Sequence, residues 1–196
     1  MKDSLLYRIL RPLIKFLTNV LLMPKYVGLE NIPKEGNIIL AGTHTHILDC
    51  FLLISSTKRS VHFLAKDELW KGPKKILFSN MGLIPVNRRQ KDHNALLSAE
   101  EYLNNKQVIG IFPEGTTEKG KGLLPFKIGA VKMASDTNTK IVPFVIKGKY
   151  KLFSRSLKIT YGKPISIISN KDLSNENENF RSIIVNMLES DWYGNF

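Results

Sequence analysis

A single cysteine, Cys50, rules out any disulfide within the chain and suits a reducing compartment. It stands among Asp49, Phe51, Leu52 and Leu53, a setting that reads as packing. Histidine is also scarce, and four are too few for an elaborate metal centre. Acidic side chains are outnumbered: 17 Asp and Glu face 29 Lys and Arg, a formal net charge of +12. Between Asp136 and Asp172 there are none, while Lys140, Lys147, Lys149, Lys151, Arg155, Lys158, Lys163 and Lys171 accumulate. Beyond Lys171 the balance reverses, with Asp172, Glu176, Glu178, Glu189 and Asp191 against Arg181. The excess is either a solvated face or the counterpart of something acidic: nucleic acid, anionic lipid, or a phosphorylated or acidic-carrier substrate. No apolar stretch is free enough of charge to serve as the ~20-residue span that a bilayer demands. No small-residue cleavage site follows the first helical pattern, which speaks against a signal peptide. Repeats and low-complexity tracts are missing. What is present, 196 residues with 43% hydrophobic content, suffices for one well-cored domain.

Residues 1–30 read as an N-terminal amphipathic helix with its connector, and 31–196 as the main domain. In the helix Leu5, Leu6, Ile9, Leu10, Leu13, Phe16, Leu17, Val20 and Leu21 recur at helical spacing, with Lys2, Arg8, Arg11 and Lys15 on the other face. A basic amphipathic helix of this kind suits a membrane interface. The alternative is a helix docked on the domain's own core. Pro12 should kink or divide it.

Further on, strand-like runs at 38–42, 61–64, 83–86, 108–112, 141–146 and 157–161 alternate with helical patterns at 49–56, 67–79, 92–104, 127–137 and 179–189. Alternation of this kind predicts an α/β fold: a mixed, largely parallel sheet covered by helices. Sites in such sheets form where strands end and helices begin. His44, Arg88 and Glu114 all fall at such places.

Four patches carry chemistry. In the first, His44 leaves a strand and Asp49 follows five positions later. An Asp at that distance can reach back across one turn and accept a hydrogen bond from the imidazole. The bond fixes the tautomer and frees the other ring nitrogen to take a proton. No Ser or Cys adjoins the pair as a nucleophile, so the base serves a substrate hydroxyl. In the second, a strand from Gly82 ends in Arg88 and Arg89, whose guanidiniums suit bidentate recognition of phosphate or carboxylate, or form an ordinary surface pair. In the third, Phe112-Pro113-Glu114-Gly115-Thr116 turns through Gly with a carboxylate and hydroxyl that can bond a polyol or fix a loop. In the fourth, Phe126-Lys127-Ile128-Gly129-Ala130 opens a helix beside a Lys, an anion seat.

Taken in order, these patches resemble the glycerolipid acyltransferase family, with its His-x-x-x-x-Asp, Gly-x-x-x-x-x-Arg, Phe-Pro-Glu-Gly-Thr and Val-Pro motifs. Here they read His44…Asp49, Gly82…Arg88, Phe112 to Thr116, and Val142-Pro143. Ala65-Lys66-Asp67-Glu68-Leu69 and Phe126 to Ala130 match two further segments. The resemblance implies transfer of a fatty acyl group from acyl-CoA or an acyl carrier protein to the sn-2 hydroxyl of 1-acyl-sn-glycerol 3-phosphate, with another lysolipid or glycerol 3-phosphate as the alternative acceptor. It makes His44 the general base and Asp49 its orienting partner. Arg88, with Lys66 and Lys127, would bind phosphate, and Glu114, Gly115 and Thr116 would bind acceptor or shape the site. It implies no metal or other cofactor, and a peripheral place on the cytoplasmic face of the cell membrane. Three positions depart from the pattern. Thr43 replaces Asn, His46 replaces Ser or Gln, and Thr117 replaces an Arg associated with the acceptor's phosphate, for which Arg89, Lys119, Lys121 or Lys127 could compensate.

Two rival readings use the same residues. Thr43-His44-Thr45-His46 followed by Asp49 invites comparison with the His-x-His-x-Asp-His ligand run of metal-dependent hydrolases, but the Asp comes one position late. The segment 140–171, with Tyr150, Phe153 and Tyr161 among its lysines, could stack bases and neutralise phosphates. Those aromatics fall largely at strand-like positions, where packing explains them. No nucleic acid is expected.

Overall fold

The computed structural model describes residues 4–70, 75, 79–87, 93–117, 122–168 and 172–190. Seven strands form one sheet in the order β1-β7-β6-β2-β5-β3-β4. They are β1 (Lys25–Val27), β2 (Ile38–Gly42), β3 (Val61–Lys66), β4 (Ile84–Val86), β5 (Val108–Ile111), β6 (Ile141–Lys147) and β7 (Lys158–Tyr161). Every neighbouring pair is parallel except β6 and β7. The helices are α1 (Leu5–Leu21), α2 (Asp49–Ser56), α3 (His93–Asn104), α4 (Gly129–Asp136) and α5 (Leu173–Ser190). The architecture is therefore the α/β, mixed and largely parallel sheet expected from the alternation.

Central strands covered on both faces must be apolar along their whole length. β2 is: each of its residues is buried. Its pleat sends Ile38 and Leu40 into one core with Leu52, Leu53, Val142 and Phe144. Ile39 and Ala41 enter the opposite core with Leu103, Ile109, Met133 and Phe180. α1 and α2 lie over the first face, and α3, α4 and α5 over the second. Truncating a side chain such as Leu40 to Ala costs about 2–5 kcal/mol.

The elements differ from expectation in several places, and α5 starts at Leu173, well before the expected 179. β1 has no counterpart among the expected strands: three residues become a strand by pairing with β7 from a distant part of the chain. In the pattern at 67–79, Asp67–Trp70 form a 3-10 turn and residues 75 and 79 are helical as expected, while residues 71–74 and 76–78 lie outside the described residues. Pro12 does not divide α1, which is one helix from Leu5 to Leu21. One missing N–H forgoes one backbone bond there, while Tyr7, Ile14 and Thr18 on either side are held against the domain. Tyr7 fixes the N-terminal half: its hydroxyl donates to the Val61 carbonyl at 3.1 Å and accepts from the Val61 N–H at 2.9 Å.

Candidate active site

The carboxyl ends of β2, β5 and β6 meet at one edge of the sheet. β2 hands the chain to Thr43, fully buried, whose hydroxyl accepts the Ile146 N–H from β6 at 2.9 Å. That bond stitches the loop after β2 to the neighbouring strand and fixes where His44 begins. The backbone N–H of His44 donates to Oε1 of Glu114 at 3.0 Å, which ties the same loop to the turn after β5.

Asp49, the first residue of α2, reaches back over this loop. Its Oδ2 accepts the Nδ1–H of His44 at 2.9 Å, the Thr45 N–H at 2.5 Å and the His46 N–H at 2.9 Å. Its Oδ1 accepts from the Thr45 hydroxyl at 3.0 Å and from the hydroxyl of Tyr150. The carboxylate is fully buried and stands at a helix N-terminus, where negative charge is favoured. Burial opposes its ionisation, but the bonds from His44, Tyr150 and the backbone of His46 and Thr45 outweigh that and hold its carboxyl below the usual range. An ionised, acceptor-only Asp49 requires Nδ1 of His44 to carry hydrogen. The His44 ring stacks on Phe112 with centroids 4.0 Å apart, and its side chain stays 15% exposed. Among the described residues no group bonds its Nε2, which is left to meet a substrate.

Glu114 is buried, and both its oxygens are committed: Oε1 to His44 and Oε2 to the Leu124 N–H at 3.2 Å. Of the two roles open to it in the sequence, its bonds are those of loop fixing. Gly115 follows at φ 71°, with its N–H donating to the Phe112 carbonyl at 2.9 Å. A Cβ here would lie 2.9 Å from Cε and Nζ of Lys127, so the glycine also makes room for that side chain. Lys127 is exposed and its N–H donates to the Pro113 carbonyl at 2.9 Å. Thr116 is half-buried, and Lys66 lies exposed at the end of β3. Arg88 lies outside the described residues, as do Arg89, Lys119 and Lys121.

Tyr150 is a site residue that the sequence reading missed. It lies in the loop between β6 and β7, not on a strand, and its ring stacks on His46 at 4.4 Å. Burial first, and then the charge of Asp49, push its phenol up, so it remains a donor through the alkaline range. An isolated Tyr among lysines, 101 positions from Asp49, carries no local signal of this role. Phe153 shares that loop and is exposed; of the three aromatics read as packing, only Tyr161 is a buried strand residue. The metal-ligand alternative finds no support in the geometry. Asp49 spends both oxygens on protein donors, His46 accepts the Leu48 N–H through Nδ1, and no cluster of three or more His, Cys, Asp or Glu is placed to hold an ion among the described residues.

The family model described as Acyltransferase matches residues 24–147. The 1-acyl-sn-glycerol-3-phosphate acyltransferase of Borreliella burgdorferi is 35% identical over 166 residues, which are 80% of this chain and 66% of that protein. The enzyme of the same name from Bacillus subtilis is 27% identical over 150 residues, 72% of this chain and 73% of the other. The crystal structure of the 1-acyl-sn-glycerophosphate acyltransferase of Thermotoga maritima superposes with a TM-score of 0.75 at 22% identity, over 97% of this chain and 82% of that one, and so shares the fold.

Proposed function

Because this chain belongs to the acyltransferase family, we propose that it moves a fatty acyl group from an acyl thioester to the sn-2 hydroxyl of 1-acyl-sn-glycerol 3-phosphate. The observation that carries this reading is the His44–Asp49 bond of 2.9 Å, with the carboxylate sealed and the imidazole side chain partly exposed. The acceptor O–H breaks as its proton passes to Nε2, and its electron pair forms the new C–O bond at the thioester carbonyl carbon. Collapse of that intermediate breaks the C–S bond. The departing thiolate takes the proton from the imidazolium, and His44 returns to its starting form. Asp49 stays ionised throughout, holds the ring and stabilises the imidazolium. The transfer needs no metal or cofactor, since the thioester is itself a substrate.

Arg88, Lys127 and Lys66 are assigned to the acceptor's phosphate, and Glu114, Gly115 and Thr116 to the shape of the site. The net charge of +12 suits the phosphates of acyl-CoA or an acidic acyl carrier protein as donor. Thr117, in place of the family's Arg, favours a second reading in which the acceptor is another lysolipid or glycerol 3-phosphate. Among the described residues no helix is long and apolar enough to cross a membrane. We place the chain peripherally on the cytoplasmic face of the membrane, with residues 1–30 as its interface segment and 31–196 as the acyltransferase domain. The test is a panel: purified chain, labelled acyl-CoA and acyl carrier thioesters, and a series of lysolipids with glycerol 3-phosphate. Lysophosphatidate should give the highest kcat/KM. Equal or better turnover of a phosphate-free acceptor would defeat the assignment.

A further inference from the structure

Although α1 is docked along α2, six of its apolar side chains face solvent: Leu5, Ile9, Leu13, Phe16, Leu17 and Val20. At 100° per residue they cover about 120° of the helix surface, a stripe beside the buried Tyr7 and Thr18 and the half-buried Ile14. A second apolar projection stands at the end of this stripe. In the β6–β7 loop Leu152 and Phe153 are 60% and 69% exposed, and the Phe153 N–H donates to the Leu21 carbonyl, at the end of α1, at 2.6 Å.

The fold's own packing does not explain Phe153. It holds φ 53°, a left-handed conformation that costs a bulky side chain free energy, and it stays mostly exposed. The loop is nonetheless built and braced. Gly148 turns its start at φ 96°, and the Ser156 hydroxyl closes its base onto the Lys149 carbonyl at 2.7 Å. Lys149, Lys151 and Arg155 surround the projection and are all exposed, in the stretch that lacks any acidic residue. On the site side, Ile47 is 76% exposed next to His46, whose ring lies on Tyr150 of the same loop.

We infer that residues 149–155 form a second membrane contact, in which Leu152 and Phe153 enter the interface of an anionic bilayer and Lys149, Lys151 and Arg155 lie against its headgroups. This rests on the reading of α1 as an interfacial helix and extends it. The bilayer is the occupant because apolar tips ringed by cations match apolar chains beneath negative headgroups. The arrangement also has a consequence for the site. Tyr150, two positions from Leu152, bonds Asp49, so seating the loop holds the His44–Asp49 pair beside the headgroup layer where a lysolipid acceptor resides.

Flotation of the full chain with phosphatidylcholine vesicles containing three parts in ten phosphatidylglycerol tests this. Leu152→Ser/Phe153→Asn removes both tips, and Asn tolerates the left-handed backbone. The partition coefficient should fall roughly tenfold, while turnover of a short-chain, monomeric lysolipid stays unchanged because the site is untouched. Lys149→Glu/Lys151→Glu should weaken flotation on these vesicles and not on pure phosphatidylcholine. Wild-type flotation by the first variant, while Leu13→Ser/Phe16→Ser on α1 detaches the chain, would overturn the loop contact and leave α1 as the anchor. A wild-type chain that does not float would overturn both.

Discussion

Replacing Tyr150 with Phe deletes one hydroxyl and almost no volume, and so isolates its bond to Asp49. That bond spans 101 positions and ends on a carboxylate with no solvent contact. Hydrogen bonds to charged groups are worth about 1.5–3 kcal/mol. Without that bond the native pKa of Asp49 should climb toward the ordinary carboxylate range, because one of the contacts that favour its ionised form is gone. The native carboxyl is held below its unfolded value, so the stability it supplies is complete above that value and is lost as pH falls through the native one. Tyr150→Phe should therefore unfold earlier in urea at pH 7, by about 1.5–3 kcal/mol, with a melting point lower by roughly 3–12 °C. The gap should persist to about pH 5 and begin to narrow once pH falls below the ordinary ~3.9, where the variant's carboxyl takes up its proton before that of the wild type. Unfolding followed by circular dichroism at pH 7, 5 and 3 measures it. A gap of the same size at every pH would show that Tyr150 acts by packing alone. No gap at pH 7 would show that the bond contributes nothing.

Glu114→Gln should cost about 1–3 kcal/mol in chemical denaturation and lower kcat, because one of the His44 and Leu124 amides then faces an NH2 instead of an oxygen. Unchanged stability would mean the carboxylate does not hold the loop. Arg88→Ala should raise KM for the acceptor at least tenfold and leave that for the donor within twofold; the reverse pattern would move Arg88 to the donor side. Burial, and then the charge of Asp49, push the Cys50 thiol up to about 12. Iodoacetamide at pH 8 should thus label it only after unfolding, and rapid labelling of the native chain would contradict that.

What was legible in the sequence is what local rules control. β2 and α2 announced themselves because a doubly covered strand must be apolar throughout and because Asp49 starts a helix just after a buried run. The His44–Asp49 bond was legible for the same reason, since five residues fix how far a carboxylate can reach back. Tyr150 was not, because a side chain brought in by a β6–β7 loop is placed by the sheet, and nothing near it in the chain encodes the destination. β1 escaped because Lys25–Val27 has no pattern of its own and becomes a strand only through β7. The choice between a docked and an interfacial α1 could not be made from periodicity, since one broad apolar face serves both. Tyr7, Ile14 and Thr18 meet the domain along one side of it, and Leu13 and Phe16 face out along the other.

The central claim is that an ionised, buried Asp49 holds His44 in the tautomer that accepts a hydroxyl proton. The turnover number of Asp49→Asn, with folding checked by circular dichroism, tests it most directly. The geometry predicts a fall of about a thousandfold or more with little change in KM; a kcat near that of the wild type would contradict it.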